Sequence, residues 1–221
     1  MIDILWLRLL ALFELGGPVV MVLIGMSVIT VALALIKLWQ FHAAGVGQHA
    51  PLRTALAEID SGQSAAAVQG VAAASSHLAA LLVTASRSVG EQRADADAVR
   101  ARLTGMAEAS LARLQSGFRI LDSIAQLAPL LGLFGTVLGM ISAFQALQAS
   151  GAAVDPSALA GGIWVALLTT AVGLGVAMPT TLILTWLESR VAGESRMAMQ
   201  IIDVTLCAGM QTAATTTPDD V

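Results

Sequence analysis

The sequence has little charge and few aromatic residues. Only 12% of its 221 residues are Asp, Glu, Lys or Arg, roughly half the share found in an ordinary soluble domain, and there is no Tyr. This shortage argues against a soluble cytosolic enzyme. The net charge of −4 argues against a nucleic-acid binder, which would present a basic face. With 4% aromatic residues, the chain also lacks the aromatic girdles of a membrane β-barrel.

Cysteine and histidine are equally scarce. Cys207 is the only cysteine, so neither an internal disulfide nor a cysteine-based metal cluster can form. The spacing of the three histidines, His42, His49 and His77, does not match that of a zinc site. The sequence therefore predicts no metal site, no cofactor and no enzymatic activity.

Apolar residues, by contrast, make up 57% of the chain. Charged residues leave three long gaps, from Glu14 to Lys37, from Asp122 to Asp155 and from Asp155 to Glu188. A helix needs about 20 apolar residues to cross the hydrocarbon core, so each gap is long enough for one crossing. We predict an all-α integral membrane protein with three transmembrane helices, of which the second and third extend into the cytoplasm as long helices.

Helical periodicity begins well before the second span. From Asp95 onward apolar residues recur at helical spacing, and only Gly105 and Gly117, which helices tolerate, stand before the span. The sequence therefore predicts one unbroken helix from the cytoplasm through the second span. The third span should likewise continue past Trp186 into a cytoplasmic helix that frays at the tail, TAATTTPDDV.

The orientation follows from the distribution of Lys and Arg. Eight of the eleven lie from Lys37 to Arg119, and two more follow the third span, whereas the connection between the second and third spans has none. The positive-inside rule therefore places the long loop and the C-terminus in the cytoplasm and the N-terminus outside. The predicted segments are an external amphipathic segment (1–15) that ends near a break at Gly16-Gly17-Pro18, the first span (16–38), a cytoplasmic helical domain (39–121), the second span (122–147), an external loop (148–158), the third span (159–187) and a cytoplasmic C-terminal helix and tail (188–221).

The second and third spans are rich in small residues, which let helices approach closely in lipid. Pro129 and Pro179 each remove one backbone donor from these spans and produce either a hinge or a static bend. The glycines predicted to pack against other helices are Gly132, Gly135, Gly139, Gly173 and Gly175.

Three threonines, Thr136, Thr169 and Thr170, lie deep in the same spans. Antiparallel neighbours would place Thr136 and Thr170 at about the same depth on facing helices. Each hydroxyl either bonds the carbonyl one turn back or faces a polar path. Residues 123–154 and 156–187 contain no Asp, Glu, Lys, Arg or His, so any ion carrier would have to come from a partner.

These two spans resemble segments of a known family. LAPLLGLFGTVLGMISAFQAL and ALAGGIWVALLTTAVGLGVAMP are similar to the two signature segments of the MotA/TolQ/ExbB proton channel family, and ELGGPV is similar to the start of ExbB-like members. The short chain and the three spans favour the ExbB/TolQ branch over MotA, whose members have four spans.

The resemblance implies a homopentamer in the bacterial inner membrane, with a periplasmic N-terminus, a cytoplasmic C-terminus and a pore lined by the second and third spans. A dimer of a single-span ExbD/TolR-like protein would hold a proton-accepting aspartate inside that pore. Proton flow would then energise a TonB- or TolA-like protein across the periplasm. By motif position, Thr136 and Thr170 correspond to the pore threonines that face this aspartate, with Thr169 beside them.

One position departs from the family pattern. Members commonly carry a glutamate five residues before the second pore threonine, where this chain has Val165. This departure leaves a non-conducting scaffold for a periplasmic machine as an alternative to the proton channel. A sodium-coupled version of the same motor is a further alternative, because hydroxyl and carbonyl oxygens can bind Na⁺. The sequence does not identify the pathway served, whether TonB-dependent uptake, envelope constriction by a Tol system, secretion or gliding.

Overall fold

Every secondary-structure element in the described part of the computed structural model is a helix. The structure describes residues 2–61, 63, 69–71, 76–90, 96–149 and 156–215, and it describes no side chains of residues 1–16. The expectations for the external loop at 150–155 and the tail at 216–221 lie outside the described residues. The helices are α1 (Ile2–Ala43), α2 (Ala50–Asp60), α3 (Ala79–Gly90), α4 (Ala96–Gln115), α5 (Phe118–Ala149) and α6 (Pro156–Thr215).

Three stretches of helix are long and apolar enough to cross a membrane. They are Gly17–Ala43 in α1, Phe118–Ala149, which is the whole of α5, and Leu159–Ala208 in α6. This all-helical architecture with three candidate spans is that of an integral membrane protein.

The first of these helices contains a local break. Gly17 has φ 63° and ψ −167°, a conformation that glycine adopts without a steric penalty, and Pro18 follows it. The break therefore lies at the Gly-Gly-Pro segment that the sequence marks as a boundary. The C-terminal helix has no comparable break and runs from Pro156 through Pro179 and Trp186 to Thr215.

The prediction of one unbroken helix leading into the second span is wrong. Two turn residues, Ser116 and Gly117, separate α4 from α5, and Gly117 has φ 85°. A left-handed glycine is the commonest way to end a helix, because it costs no Cβ clash. The Gly117 carbonyl then accepts hydrogen bonds from the amides of Ile120 (3.1 Å) and Leu121 (3.3 Å) and so opens α5.

Side chains from the end of α1 stabilise this helix end. The Lys37 ammonium donates to the carbonyl of Leu114 (3.0 Å), and the Gln40 amide donates to the carbonyl of Arg113 (3.3 Å). These carbonyls lie in the last turn of α4, where helical partners run out. The sequence pattern missed the break because its donors come from residues more than seventy positions away.

Residue contacts divide the chain into two compact units. The first unit comprises Met1–Leu35 and Gly117–Thr185, and the second unit comprises Ile36–Ser116 and Trp186–Val221. In the first unit, small and medium apolar side chains of α1, α5 and α6 pack together around Val19, Leu23, Ala128 and Ala177.

The second unit has a core of its own. Leucine, isoleucine and alanine side chains from α2, α3, α4 and the C-terminal part of α6 form one apolar cluster. Its fully buried members include Leu52, Leu78, Leu82, Leu103 and Ile201. Burying a leucine contributes roughly 1.5–3 kcal/mol, so this cluster stabilises the second unit.

Candidate functional site

The helices α5 and α6 approach each other closely along a line of glycines in the first unit. A Cβ atom added to Gly132 would lie 3.0 Å from the Thr169 carbonyl oxygen, and one added to Gly139 would lie 2.9 Å from the Ala166 Cβ. A Cβ at Gly135 would meet the Thr169 side chain at 2.6 Å. Only glycine allows this separation, so the sequence prescribes a tight seam between the two helices.

The seam continues toward both ends of the pair. A Cβ at Gly162 would lie 2.5 Å from the Ala143 Cβ, and one at Gly173 would lie 2.6 Å from the Ala128 carbonyl oxygen. Gly175 differs, because a Cβ there would have no neighbour within 4 Å among the described residues. Four of the five glycines singled out in the sequence thus lie in the α5–α6 seam, and Gly175 does not.

The three predicted threonines occupy different positions around this seam. Thr169 is 2% exposed, and its hydroxyl donates to the Ala166 carbonyl at 2.7 Å. Thr170 is half-buried and donates across the helix pair to the Gly132 carbonyl at 3.1 Å. Thr136 is half-buried and donates within its own helix to the Leu133 carbonyl at 2.6 Å. The structure therefore brings all three to one level of the pair, with Thr169 turned inward.

Large apolar side chains close in sequence to Thr136 and Thr170 are exposed on α5 and α6. They are exposed at 49% for Val137, 54% for Phe134 and 62% for Leu167. Apolar surface on this scale marks contact with lipid or with other protein. In the described structure, Thr136 and Thr170 are thus half-buried polar residues on helices whose exposed side chains nearby are large and apolar.

A second hydroxyl pair was not expected from the sequence. The Oγ1 atoms of Thr30 and Thr180 lie 3.3 Å apart and are buried between α1 and α6. The Thr180 hydroxyl donates to the Val176 carbonyl, so its oxygen is left to accept from Thr30. The exposed fraction of Thr180 is 0%. The sequence feature that could have indicated this pair is the presence of Thr30 in a first span rich in Val and Ile.

Comparison with known proteins identifies the family of this chain. The sequence pattern of the MotA/TolQ/ExbB proton channel family matches residues 57–200. Biopolymer transport protein exbB1 of Vibrio cholerae serotype O1 is 46% identical over 67 residues, which cover 30% of this chain and 29% of that protein. Biopolymer transport protein ExbB of Pseudomonas putida is 34% identical over 108 residues, which cover 49% and 32% respectively.

A putative biopolymer transport protein ExbB homolog of Methanothermobacter thermautotrophicus is 39% identical over 84 residues, or 38% of this chain and 29% of that protein. The matched stretch is shorter than a third of each of these three relatives. The family pattern, in contrast, extends over more than half of this chain and includes the α5–α6 seam. The protein therefore belongs to the MotA/TolQ/ExbB proton channel family, on its ExbB-like branch.

Proposed function

We propose that this chain is the channel subunit of an ExbB–ExbD- or TolQ–TolR-type complex in the bacterial inner membrane. The observation that carries the proposal is the pair of half-buried hydroxyls, Thr136 and Thr170, on a glycine-packed helix pair that has no ionisable side chain of its own between 123 and 154 or between 156 and 187. Such a pair can face a titratable group but cannot replace one.

The chemistry of a hydroxyl suits a partner that titrates. A threonine hydroxyl offers one donor and two acceptor sites, so it can accept from a protonated carboxyl and, after rotation, donate to the carboxylate. We therefore assign Thr136 and Thr170 to contact the aspartate of a single-span ExbD/TolR-like partner. In a homopentamer these hydroxyls would form a polar ring in an apolar pore.

Thr169 has a different part in the proposal. Its side chain is buried against Gly135, so it seats α5 on α6 at the depth of the two other threonines. The proton flow through the assembled pore would energise a TonB- or TolA-like protein that spans the periplasm. The complex transports ions and performs mechanical work; no enzymatic step is part of the proposal.

Removal of the hydroxyls tests the proposal. Thr136→Val and Thr170→Val keep the side-chain volume but lose the polar atom. Hydrogen bonds to charged groups are worth about 1.5–3 kcal/mol, so we expect proton flux to fall by about tenfold or more. The flux is measured with a pH-sensitive dye in liposomes that contain this chain and its single-span partner.

Thr185→Val is the matched control. Thr185 lies on the same helix α6, is exposed and donates to the carbonyl of Thr181 one turn back, at 2.9 Å. We expect its flux to equal that of the unaltered protein. Unchanged flux in both Thr136→Val and Thr170→Val, in complexes that assemble normally, would contradict the channel assignment of these residues.

Val165 supports a second candidate, the non-conducting scaffold. This half-buried apolar residue stands where ExbB-like sequences commonly have a glutamate. The same liposomes distinguish the candidates when proton and sodium gradients are imposed in turn. Flux driven by protons alone supports the proposal, flux that requires sodium supports the sodium-coupled motor, and an assembled complex without either flux supports the scaffold.

The stoichiometry is tested separately. Native mass spectrometry of the detergent-extracted complex, expressed with its neighbouring genes, should show five copies of this chain with two of a small single-span protein. A homo-oligomer without such a partner, despite its co-expression, would leave the threonines without a proton carrier and favour the scaffold.

A further inference from the structure

A buried carboxylate lies in the second unit, far along the chain from the threonines. Glu194, on α6, has an exposed fraction of 0%. Its Oε1 atom accepts a hydrogen bond from the Gly47 amide at 2.6 Å and lies 2.8 Å from the Nε2 atom of His49. A carboxylate oxygen can only accept, so His49 donates from Nε2 in this pair.

The other oxygen of the same carboxylate faces a second histidine. The His77 Nε2 atom lies 3.6 Å from Oε2 of Glu194, a distance for an ion pair but too long for a hydrogen bond. Both atoms are buried and have no hydrogen-bond partner within the described part of the chain. A buried polar atom without a partner is costly, so this pair requires an explanation.

The contact of the other ring nitrogen of His77 indicates which nitrogen carries a hydrogen in the neutral ring. Nδ1 lies 3.3 Å from the carbonyl oxygen of Ala44, and the His77 backbone amide donates to the same oxygen at 3.1 Å. Because a carbonyl oxygen only accepts, Nδ1 carries a hydrogen. In a neutral His77 the lone pair of Nε2 would therefore point at a carboxylate oxygen, and two acceptors would face each other.

One added proton removes this conflict. Placed on Nε2, it makes His77 a cation that pairs with the Glu194 carboxylate; placed on Oε2, it makes a carboxyl group that donates to Nε2. Either way the cluster loses its net negative charge. Without the proton, the buried Oε2 atom has no donor among the described residues, and a buried polar atom without a partner costs free energy.

The charged side chains near Glu194 leave its neutralisation to the histidines. Within the residues that the structure describes, the ion-pair partners of Glu194 are His49 and His77. Arg190, one turn earlier on α6, extends its guanidinium toward Gly47, 3.4 Å from where a Cβ would stand, and it lies 5.1 Å from the centre of the Trp186 ring.

Two further arginines have other neighbours. Arg196, two residues after Glu194, has a guanidinium nitrogen 3.9 Å from a Cβ position at Gly193, and Arg100 pairs with Asp203 at 2.9 Å. No group of three or more His, Cys, Asp or Glu among the described residues is arranged to hold a metal ion.

We propose that His49, His77 and Glu194 form a proton-binding site, and that the bound proton ties residues 76–78, which lead into α3, to α6. Loss of the proton releases the His77 side from the carboxylate, while the Gly47 and His49 contacts to Oε1 remain. The site rests on the geometry of the second unit alone and does not depend on the proposed channel.

Hydrogen–deuterium exchange of the full-length chain in detergent tests the site. The amides of residues 76–78 are followed from mildly acidic to mildly alkaline pH, with the intrinsic pH dependence of exchange subtracted, and those of residues 44–49, whose contacts to Oε1 remain, serve as the internal reference. We expect the protection of residues 76–78 to fall by about tenfold or more as the pH rises, since a hydrogen bond to a charged group is lost.

Two variants distinguish the site from other titrations. His77→Gln removes the group that shares the proton and should abolish the pH step. Glu194→Gln places a neutral amide in the site, which can donate to Nε2 of His77 as the bound proton does, so protection should stay high at every pH. His42→Gln, at an exposed histidine before the turn at 44–49, is the control and should keep the step.

Each result of these exchange measurements either supports or overturns the proton-binding site. Loss of the step in His77→Gln, with its retention in His42→Gln, supports the site even if Glu194→Gln does not fold. An unaltered chain whose protection shows no pH step overturns the proposal, and so does a step that persists in His77→Gln. A step that disappears on addition of a chelator would assign the cluster to a metal ion instead.

Discussion

At the scale of single residues, two glycines on the same helix have opposite surroundings. A Cβ on Gly173 would lie 2.6 Å from the Ala128 carbonyl oxygen and 3.0 Å from the Gly132 Cα, whereas a Cβ on Gly175 would have no described neighbour within 4 Å. Two residues along an α-helix correspond to a rotation of about 200°, so the two positions face opposite sides. Composition alone made both glycines packing candidates; only the seam distinguishes them.

This contrast predicts opposite effects of one substitution. Gly173→Ala forces a methyl group against backbone atoms and should lower the free energy of unfolding by about 1–3 kcal/mol. Gly175→Ala should leave it unchanged or raise it by up to about 1 kcal/mol, because alanine is the better helix former. Thermal unfolding in detergent, followed by circular dichroism, measures both. Equal destabilisation by the two substitutions would contradict the seam.

At the scale of elements, the join between α4 and α5 shows where helical periodicity misleads. The apolar spacing continues through Gly117, yet the chain turns there with φ 85°. Periodicity reports which face of a helix is buried, but it carries no information on whether donors for the last carbonyls exist elsewhere. Lys37 and Gln40 supply them, and the helix ends.

The break predicts a second matched pair of substitutions. Gly117→Ala introduces a Cβ into a left-handed conformation and should lower the free energy of unfolding by about 1–2 kcal/mol. Gly105→Ala lies in the exposed interior of α4, where no described atom is within 4 Å of the Cβ position, and should raise it by up to about 1 kcal/mol. Chemical denaturation in the same detergent compares them. If the Gly117→Ala protein is as stable as the unaltered one, the turn is not required.

At the scale of the whole molecule, the proposed topology depends on charge. Most Lys and Arg residues belong to the second unit, and the first unit has large apolar side chains on its outer faces. The proposal that the C-terminal part of α6 lies in the cytoplasm has a direct test, because Cys207 is the only cysteine and is exposed.

We expect a membrane-impermeant maleimide to leave Cys207 unlabelled in intact spheroplasts and to label it after permeabilisation. For comparison, Ala149→Cys in a Cys207→Ser background places the thiol at the C-terminal end of α5, at the predicted external side, where residue 149 is exposed. That thiol should react in intact spheroplasts. Labelling of Cys207 before permeabilisation would reverse the proposed orientation.

The sequence alone was sufficient to predict the features that depend on residues adjacent in the chain. Three charge-free apolar runs are sufficient to specify three helices able to cross a membrane, since hydrocarbon tolerates no unpaired backbone groups. The motif segments around Thr136 and Thr170 are sufficient to identify the family. The small residues of the second and third spans show that these helices approach something closely, but not which glycines do so.

The tertiary structure decided what depends on residues distant in the chain. It separates Gly173 from Gly175, turns Thr169 into the seam, buries Thr180 beside Thr30 and ends α4 with side chains of α1. It also brings Glu194 to two histidines more than a hundred positions earlier, whose spacing in the sequence had only argued against a zinc site. Each of these contacts follows from packing between elements, because a linear pattern records the face of one helix and not the partner that covers it.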